Sequence, residues 1–165
     1  MQAYDLSKVS ILVLEKHLLI RNLLTEVFDE FGIATTMSTA DPEVAYDMLA
    51  TSPVPIDIVL TDWSPDLDGI AFLKRLRRDP ATPNPFVPVI VCTANSEIGH
   101  ICTVRDMGGT EILVKPVSAR TIYSRICSVI ESHRPFVRIT DFFGPDRRRR
   151  GRGMYGGLER RKRSI

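Results

Sequence analysis

The sequence predicts an α/β fold, a doubly wound five-stranded parallel sheet of order 2-1-3-4-5. Three observations carry that prediction. Apolar runs of strand length alternate with amphipathic helical segments in the order βαβαβαβαβα. Three of the runs, "VSILVL", "IDIVLT" and "VPVIVC", are nearly continuous, as strands covered on both faces require. The second and fifth runs are mixed and suit edges, and right-handed crossovers then leave few topologies.

Each element has its own signature. Val9–Leu14 is the first strand. Leu18–Phe31 is a helix, with Leu19, Leu23, Val27 and Phe31 recurring every four residues, Leu24 and Phe28 beside them, and Gly32 as the stop. Ile33–Met37 is a second, weaker strand. Asp41 caps the helix Pro42–Ala50, whose Pro42 suits the first helical position. Ile56–Thr61 is the third strand, and Ile70–Arg78 is a helix burying Ile70, Leu73 and Leu76. Prolines exclude helix from "DPATPNPF". Val87–Cys92 is the fourth strand, and the helix Glu97–Met107, weakened by Gly99, ends at Gly108-Gly109. Glu111–Val114 is the fifth strand, and Ser118 caps the helix Ala119–Ser132.

The chain has 165 residues, 44% hydrophobic and 25% charged, an ordinary globular composition. No apolar run approaches the roughly 18 residues of a membrane span. The beginning, "MQAYDLSKVS", lacks the pattern of a signal peptide, so a cytoplasmic location is expected. Cys92, Cys102 and Cys127 form no CxxC pair and read as small buried hydrophobes. His17, His100 and His133 share no metal-ligand spacing.

The net charge of +2 hides an asymmetry. Residues 1–134 carry 12 Lys/Arg against 17 Asp/Glu, whereas residues 135–165 carry 10 against 3. The expected organisation is an acidic body, 1–134, and a basic tail, 135–165, with Pro135 at the seam. In the tail, Phe136, Phe142 and Phe143 are expected to dock on the body or on a partner. The clusters Arg147–Arg152 and Arg160–Arg163 suit an acidic partner or nucleic acid, or remain a solvated and partly disordered extension.

In such sheets ligands bind beyond the carboxyl ends of the strands. There this sequence places Glu15 and Lys16 after strand one, Asp62 after strand three, Thr93 and Ala94 after strand four, and Lys115 and Pro116 after strand five. A charge-paired carboxylate at a strand end is a usable nucleophile, and a nearby ammonium and hydroxyl would stabilise a transferred phosphoryl group. The same charges would also suit a structural ion-pair cluster.

The stretches "VLTDW…DLDGIAFLKRLR", "VIVCTA" and "ILVKPV" resemble the response-regulator receiver domain of bacterial two-component signalling, over about residues 8–132. The resemblance implies a flavodoxin-like receiver fold of the chemotaxis-regulator kind, acting as a stand-alone receiver. It implies Asp62 as phospho-acceptor, Thr93 as switch hydroxyl and Lys115 as the phosphoryl contact. It also implies Mg²⁺ held by Glu15, Asp62 and the backbone carbonyl of Ser64. A histidine kinase or phosphotransfer protein would be the donor. A downstream protein would dock on the face of helix four, strand five and helix five.

Three features depart from the family pattern. Lys16 stands where a second acidic residue is usual; beside Asp62 at about 4 Å it would attract by roughly 4 kcal/mol at an effective dielectric of 20, weakening or replacing the metal. Asp66 and Asp68 would be replacement ligands, or else solvated carboxylates of the loop. The loop "DWSPDLDG" is one residue short. Ile112 replaces the usual aromatic three before Lys115, with Tyr123 as a substitute for the lost gate or as a packing residue. The competing function is a phosphorylation-independent pseudo-receiver, locked by a Lys16–Asp62 pair and binding through the Arg-rich tail. An aspartate-nucleophile phosphatase lacks its Asp-x-Asp, because Ser64 sits two after Asp62.

Overall fold

The computed structural model describes residues 4–131 and 135–146. The elements are β1 (Ser10–Leu14), α1 (Leu18–Glu30), β2 (Thr35–Thr39), α2 (Pro42–Thr51), β3 (Ile58–Trp63), α3 (Gly69–Arg78), β4 (Val89–Thr93), α4 (Ile98–Asp106), β5 (Glu111–Val114), α5 (Ala119–Glu131), β6 (Phe136–Ile139) and β7 (Phe142–Pro145). The first five strands form one parallel sheet in the order β2-β1-β3-β4-β5, as expected.

Two cores cover the sheet. Phe28 and Leu24 of α1 meet Ile122 and Ile126 of α5 over Ile11, Val13, Leu60 and Ile90. On the opposite face Tyr46, Phe72, Leu73 and Val104, from α2, α3 and α4, cover Leu12, Val59 and Val91. Caps fix two helix entries. The Asp41 side chain accepts the Glu43 N–H at 2.8 Å, and Asp68 accepts the Ala71 N–H at 3.0 Å.

Three strands begin two residues later than the apolar runs suggest. Ile56 and Val87 are buried lead-ins, and pairing continues through Asp62, Trp63 and Thr93. The buried face of α1 is also corrected. Leu24 and Phe28 point inward, whereas Leu19 is 81% exposed and Leu23 lies outside too. A strict four-residue stripe drifts around a helix of about 3.6 residues per turn, and the face holding the Phe28 ring faces the core. Cys92 and Cys127 are buried as expected, but Cys102 is only half-buried.

The stretch after Pro135 is an antiparallel hairpin, β6-β7, lying on the body beside α3. Phe136 and Phe143 each meet Phe86 at a centroid distance of 5.3 Å. Beneath them lies Arg77, a buried cation on α3. It donates to the carbonyls of Gly108 at 3.1 Å, Pro85 at 2.7 Å and Val87 at 2.8 Å, and sits 5.2 Å from the Phe136 ring centre. Burial pulls its pKa down to about 9, still above neutral pH, and the three carbonyls satisfy its N–H donors. Gly108 has φ +92°, and a Cβ there would lie 2.7 Å from the Phe143 carbonyl oxygen, so hairpin and α4–β5 turn fit only through glycine. The clusters Arg147–Arg152 and Arg160–Arg163 lie outside the described residues. Among the described residues no helix is long and apolar enough to cross a membrane.

Candidate functional site

The carboxyl ends of β1, β3, β4 and β5 converge as the topology demands. They bring Glu15, Asp62, Thr93 and Lys115 to one crevice. Glu15, Asp62 and Thr93 are almost completely buried. Lys115 Nζ donates to Asp62 Oδ1 at 2.6 Å and to Glu15 Oε2 at 3.4 Å. Glu15 Oε1 accepts the His17 N–H at 3.0 Å. Asp62 Oδ2 is buried and has no hydrogen-bond partner among the described residues. The Lys115–Pro116 peptide bond is cis.

The start of α3 holds Asp62 from below. A Cβ on Gly69 would lie 2.1 Å from the Asp62 carbonyl oxygen and 2.8 Å from Thr61 Oγ1. The "DG" before α3 therefore has a steric reason: only a bare Cα lets the helix approach the acceptor strand so closely. The shortened loop between them closes on itself. Ser64 N–H donates to the Leu67 carbonyl at 3.1 Å, and Leu67 N–H donates to the Ser64 carbonyl at 3.2 Å. That carbonyl keeps a second lone pair.

Lys16 does not take the place anticipated for it. Its side chain is exposed, and among the described residues its ammonium forms no ion pair with Asp62. Lys115 is the cation bound to Asp62. The physical reason is the end of the strand: the chain leaves β1 after Glu15, so Glu15 points into the crevice and the next residue points away. Asp66 and Asp68 are also committed elsewhere. Asp66 is exposed, 3.9 Å from His17 Nε2, and Asp68 caps α3. Ile112 is half-buried on β5. Tyr123 accepts the Tyr4 N–H at 3.0 Å and packs edge-on against Phe31, away from the crevice.

One functional neighbour has no motif in the sequence. Thr93 Oγ1 lies 3.1 Å from His100 Nε2 on α4 and accepts the Asn95 N–H at 3.1 Å. The His100 ring stacks on Trp63, with centroids 3.4 Å apart and planes at 12°. The available signal was positional: His100 is in the first turn of the helix that follows Thr93, and Trp63 follows Asp62.

The electrostatics are those of two carboxylates, Glu15 and Asp62, sharing the Lys115 ammonium. Burial pulls the Lys115 pKa down, but the hydrogen bond it donates to Asp62 and the attraction of both carboxylates outweigh it, and the net direction is up. Burial pushes the nearby Cys92 thiol up to about 12; Lys115 works against that shift, and the two carboxylates add to it. The residues fit a divalent cation on one observation: a buried carboxylate oxygen, Asp62 Oδ2, lacks a partner, and Glu15 supplies a second carboxylate nearby. Mg²⁺ commonly takes only one or two carboxylates. No cluster of three acidic, His or Cys side chains exists among the described residues.

The response regulator receiver domain matches residues 11–127, and the chain belongs to that family. Among its relatives, the chemotaxis protein CheY-3 of Vibrio cholerae is 26% identical over 79% of this chain and 98% of that protein. The phosphate regulon transcriptional regulatory protein PhoB of Escherichia coli is 30% identical over 76% of this chain and 53% of that protein. The receiver domain of Francisella response regulator 1452 superposes with a TM-score of 0.64 at 28% identity, covering 74% of this chain and 97% of that one. Vibrio cholerae CheY4 has the same fold, with a TM-score of 0.64 at 20% identity over 73% of this chain and 98% of that one. The chain is thus a receiver domain of two-component response regulators. Receivers of this family interact with histidine kinases or phosphotransfer proteins and with downstream targets, and typically bind Mg²⁺ at the acidic site.

Proposed function

We propose that this receiver takes a phosphoryl group from a histidine kinase or phosphotransfer protein onto Asp62. The observation that carries the reading is the state of the Asp62 carboxylate. Lys115 holds one oxygen at 2.6 Å, while the other is buried and free. Asp62 Oδ2 attacks the donor's phosphorus; the donor's bond to phosphorus breaks, and its electron pair leaves with the donor. Lys115 offsets charge on the new phosphoryl oxygens, and Thr93 donates its hydroxyl proton to one of them. Glu15, Asp62 and the Ser64 carbonyl would hold Mg²⁺, which when bound neutralises charge on the phosphoryl oxygens.

The chain signals by contact rather than turnover, in the cytoplasm. The α4–β5–α5 face supports this reading, because it displays Ile98 and Val114 to solvent. The Arg-rich residues after 146 would add an acidic partner or nucleic acid, with binding that weakens steeply with salt and disappears on truncation after Pro145. The acceptor is tested with acetyl phosphate and Mg²⁺. An acyl phosphate released by hydroxylamine, and absent from Asp62→Asn, is expected. A hydroxylamine-stable phosphate would overturn the assignment.

A further inference from the structure

The receiver's Thr93 is not free to meet a phosphoryl group. A hydroxyl has one proton to give. Thr93 Oγ1 already accepts the Asn95 N–H and is in hydrogen-bond contact with His100 Nε2, each at 3.1 Å. The residue that would usually follow the switch hydroxyl is also missing, since Ile112 has no ring. A different ring does touch the switch. His100 bonds Thr93 with its nitrogen and stacks its plane on Trp63. Trp63 directly follows Asp62 on β3 and pairs with Thr93 across the sheet. His100 is the third residue of α4, and Ile98 on the same turn is 81% exposed.

We propose that His100 is a positioning residue that holds the Thr93 hydroxyl in reserve, and that its release from Thr93 carries the state of Asp62 to the exposed start of α4. The inference rests on Asp62 being the acceptor. With the imidazole proton on Nδ1, the tautomer this role requires, Thr93 donates its own proton to Nε2 of His100 in the resting protein. After Asp62 Oδ2 attacks the phosphorus of acetyl phosphate, acetate leaves with the electron pair of the broken P–O bond, and a phosphoryl oxygen becomes the competing acceptor. Thr93 donates to that oxygen, and His100 loses its hydrogen bond to the switch. The Trp63–His100 stack then reports the change, because among the described residues the imidazole is tied to the crevice through Thr93 and that stack.

The test uses the full chain with acetyl phosphate at a fixed concentration, and three forms of the protein. His100→Phe keeps a ring on Trp63 and removes the nitrogen. His100→Gln loses the ring and keeps an amide within reach of Thr93. The ratio of phosphorylated to unphosphorylated protein is read by intact mass, and fluorescence is read from Trp63, the chain's single tryptophan. Removing one competing hydrogen bond predicts a ratio about 2- to 10-fold higher in His100→Phe. His100→Gln should return it to the wild-type ratio, which a merely structural role of the imidazole would not do. Trp63 emission should change on phosphorylation of the wild type and stay constant in phosphorylated His100→Phe. Equal ratios and equal fluorescence responses in wild type and His100→Phe overturn this inference alone. Absence of any mass gain in the wild type overturns the acceptor assignment and this inference with it.

Discussion

Lys16 lies just past β1 and Lys115 just past β5, and the structure gives the two lysines opposite importance. Replacing Lys115 by Met removes the ammonium that holds Asp62 Oδ1 at 2.6 Å and Glu15 Oε2 at 3.4 Å. At an effective dielectric of 20 these contacts amount to attractions of about 6 and about 5 kcal/mol before desolvation is subtracted. Removing one partner from a buried pair costs about 3–5 kcal/mol. Lys115 keeps 27% of its side chain exposed, so the lower end, about 3 kcal/mol, is expected. Lys16→Met should change stability by less than about 0.5 kcal/mol, since the side chain is exposed and unpaired with Asp62. Urea denaturation at pH 7 measures both. The pH dependence has a definite sign. The folded Lys115 pKa is raised, so its contribution is complete below the ordinary lysine value of about 10.4 and is lost as pH rises through the higher folded value. The gap between wild type and Lys115→Met should stay flat from pH 7 to 9 and close in the alkaline range. Equal costs for the two lysines, or a larger cost for Lys16→Met, would refute the assignment of Lys115 as the cation that pairs with Asp62.

Three further outcomes are expected. Gly108→Ala should lose about 2–5 kcal/mol in urea denaturation, from the positive φ together with the 2.7 Å approach to Phe143; Gly108→Asn tolerates the φ but keeps the Cβ, so a full recovery in Asn would remove the hairpin contact from the explanation. Lys16→Asp should change Mg²⁺ affinity by less than about 3-fold in a calorimetric or Trp63 fluorescence titration, because residue 16 is exposed and points away from the crevice, where solvent and salt screen its charge; a 10-fold or larger gain would contradict that orientation. A thiol reagent at pH 8 should label Cys102 well before Cys92, whose buried thiol is pushed up to about 12, and peptide mapping that finds Cys92 labelled first would contradict the burial.

The order of elements was legible because the central strands are apolar on both faces and the helices carry caps such as Asp41 and Ser118. Strand ends were not, because hydrogen bonding runs on through Asp62, Trp63 and Thr93 after the apolar pattern has stopped. The convergence of Glu15, Asp62, Thr93 and Lys115 followed from topology alone: parallel strands put all their carboxyl ends on one edge. The direction of Lys16 did not follow, since a single residue after a strand decides between crevice and solvent. His100 was invisible for a different reason. Its partners, Thr93 and Trp63, sit on neighbouring strands, and no spacing rule links a helix-start imidazole to both. The hairpin was half legible. Phe136, Phe142 and Phe143 announced a docking segment, but the antiparallel pairing around Thr140-Asp141 depends on a platform of Phe86, Arg77 and Gly108 that only the folded body assembles.

The central claim is that Asp62, with one oxygen held by Lys115 and the other free, is the phosphoryl acceptor. Intact-protein mass after exposure to acetyl phosphate, with and without Mg²⁺ and beside Asp62→Asn, tests it most directly. The account predicts a labile gain of one phosphoryl group in the wild type and none in Asp62→Asn. A gain that survives Asp62→Asn would contradict it, as would no gain from acetyl phosphate and none from a cognate kinase.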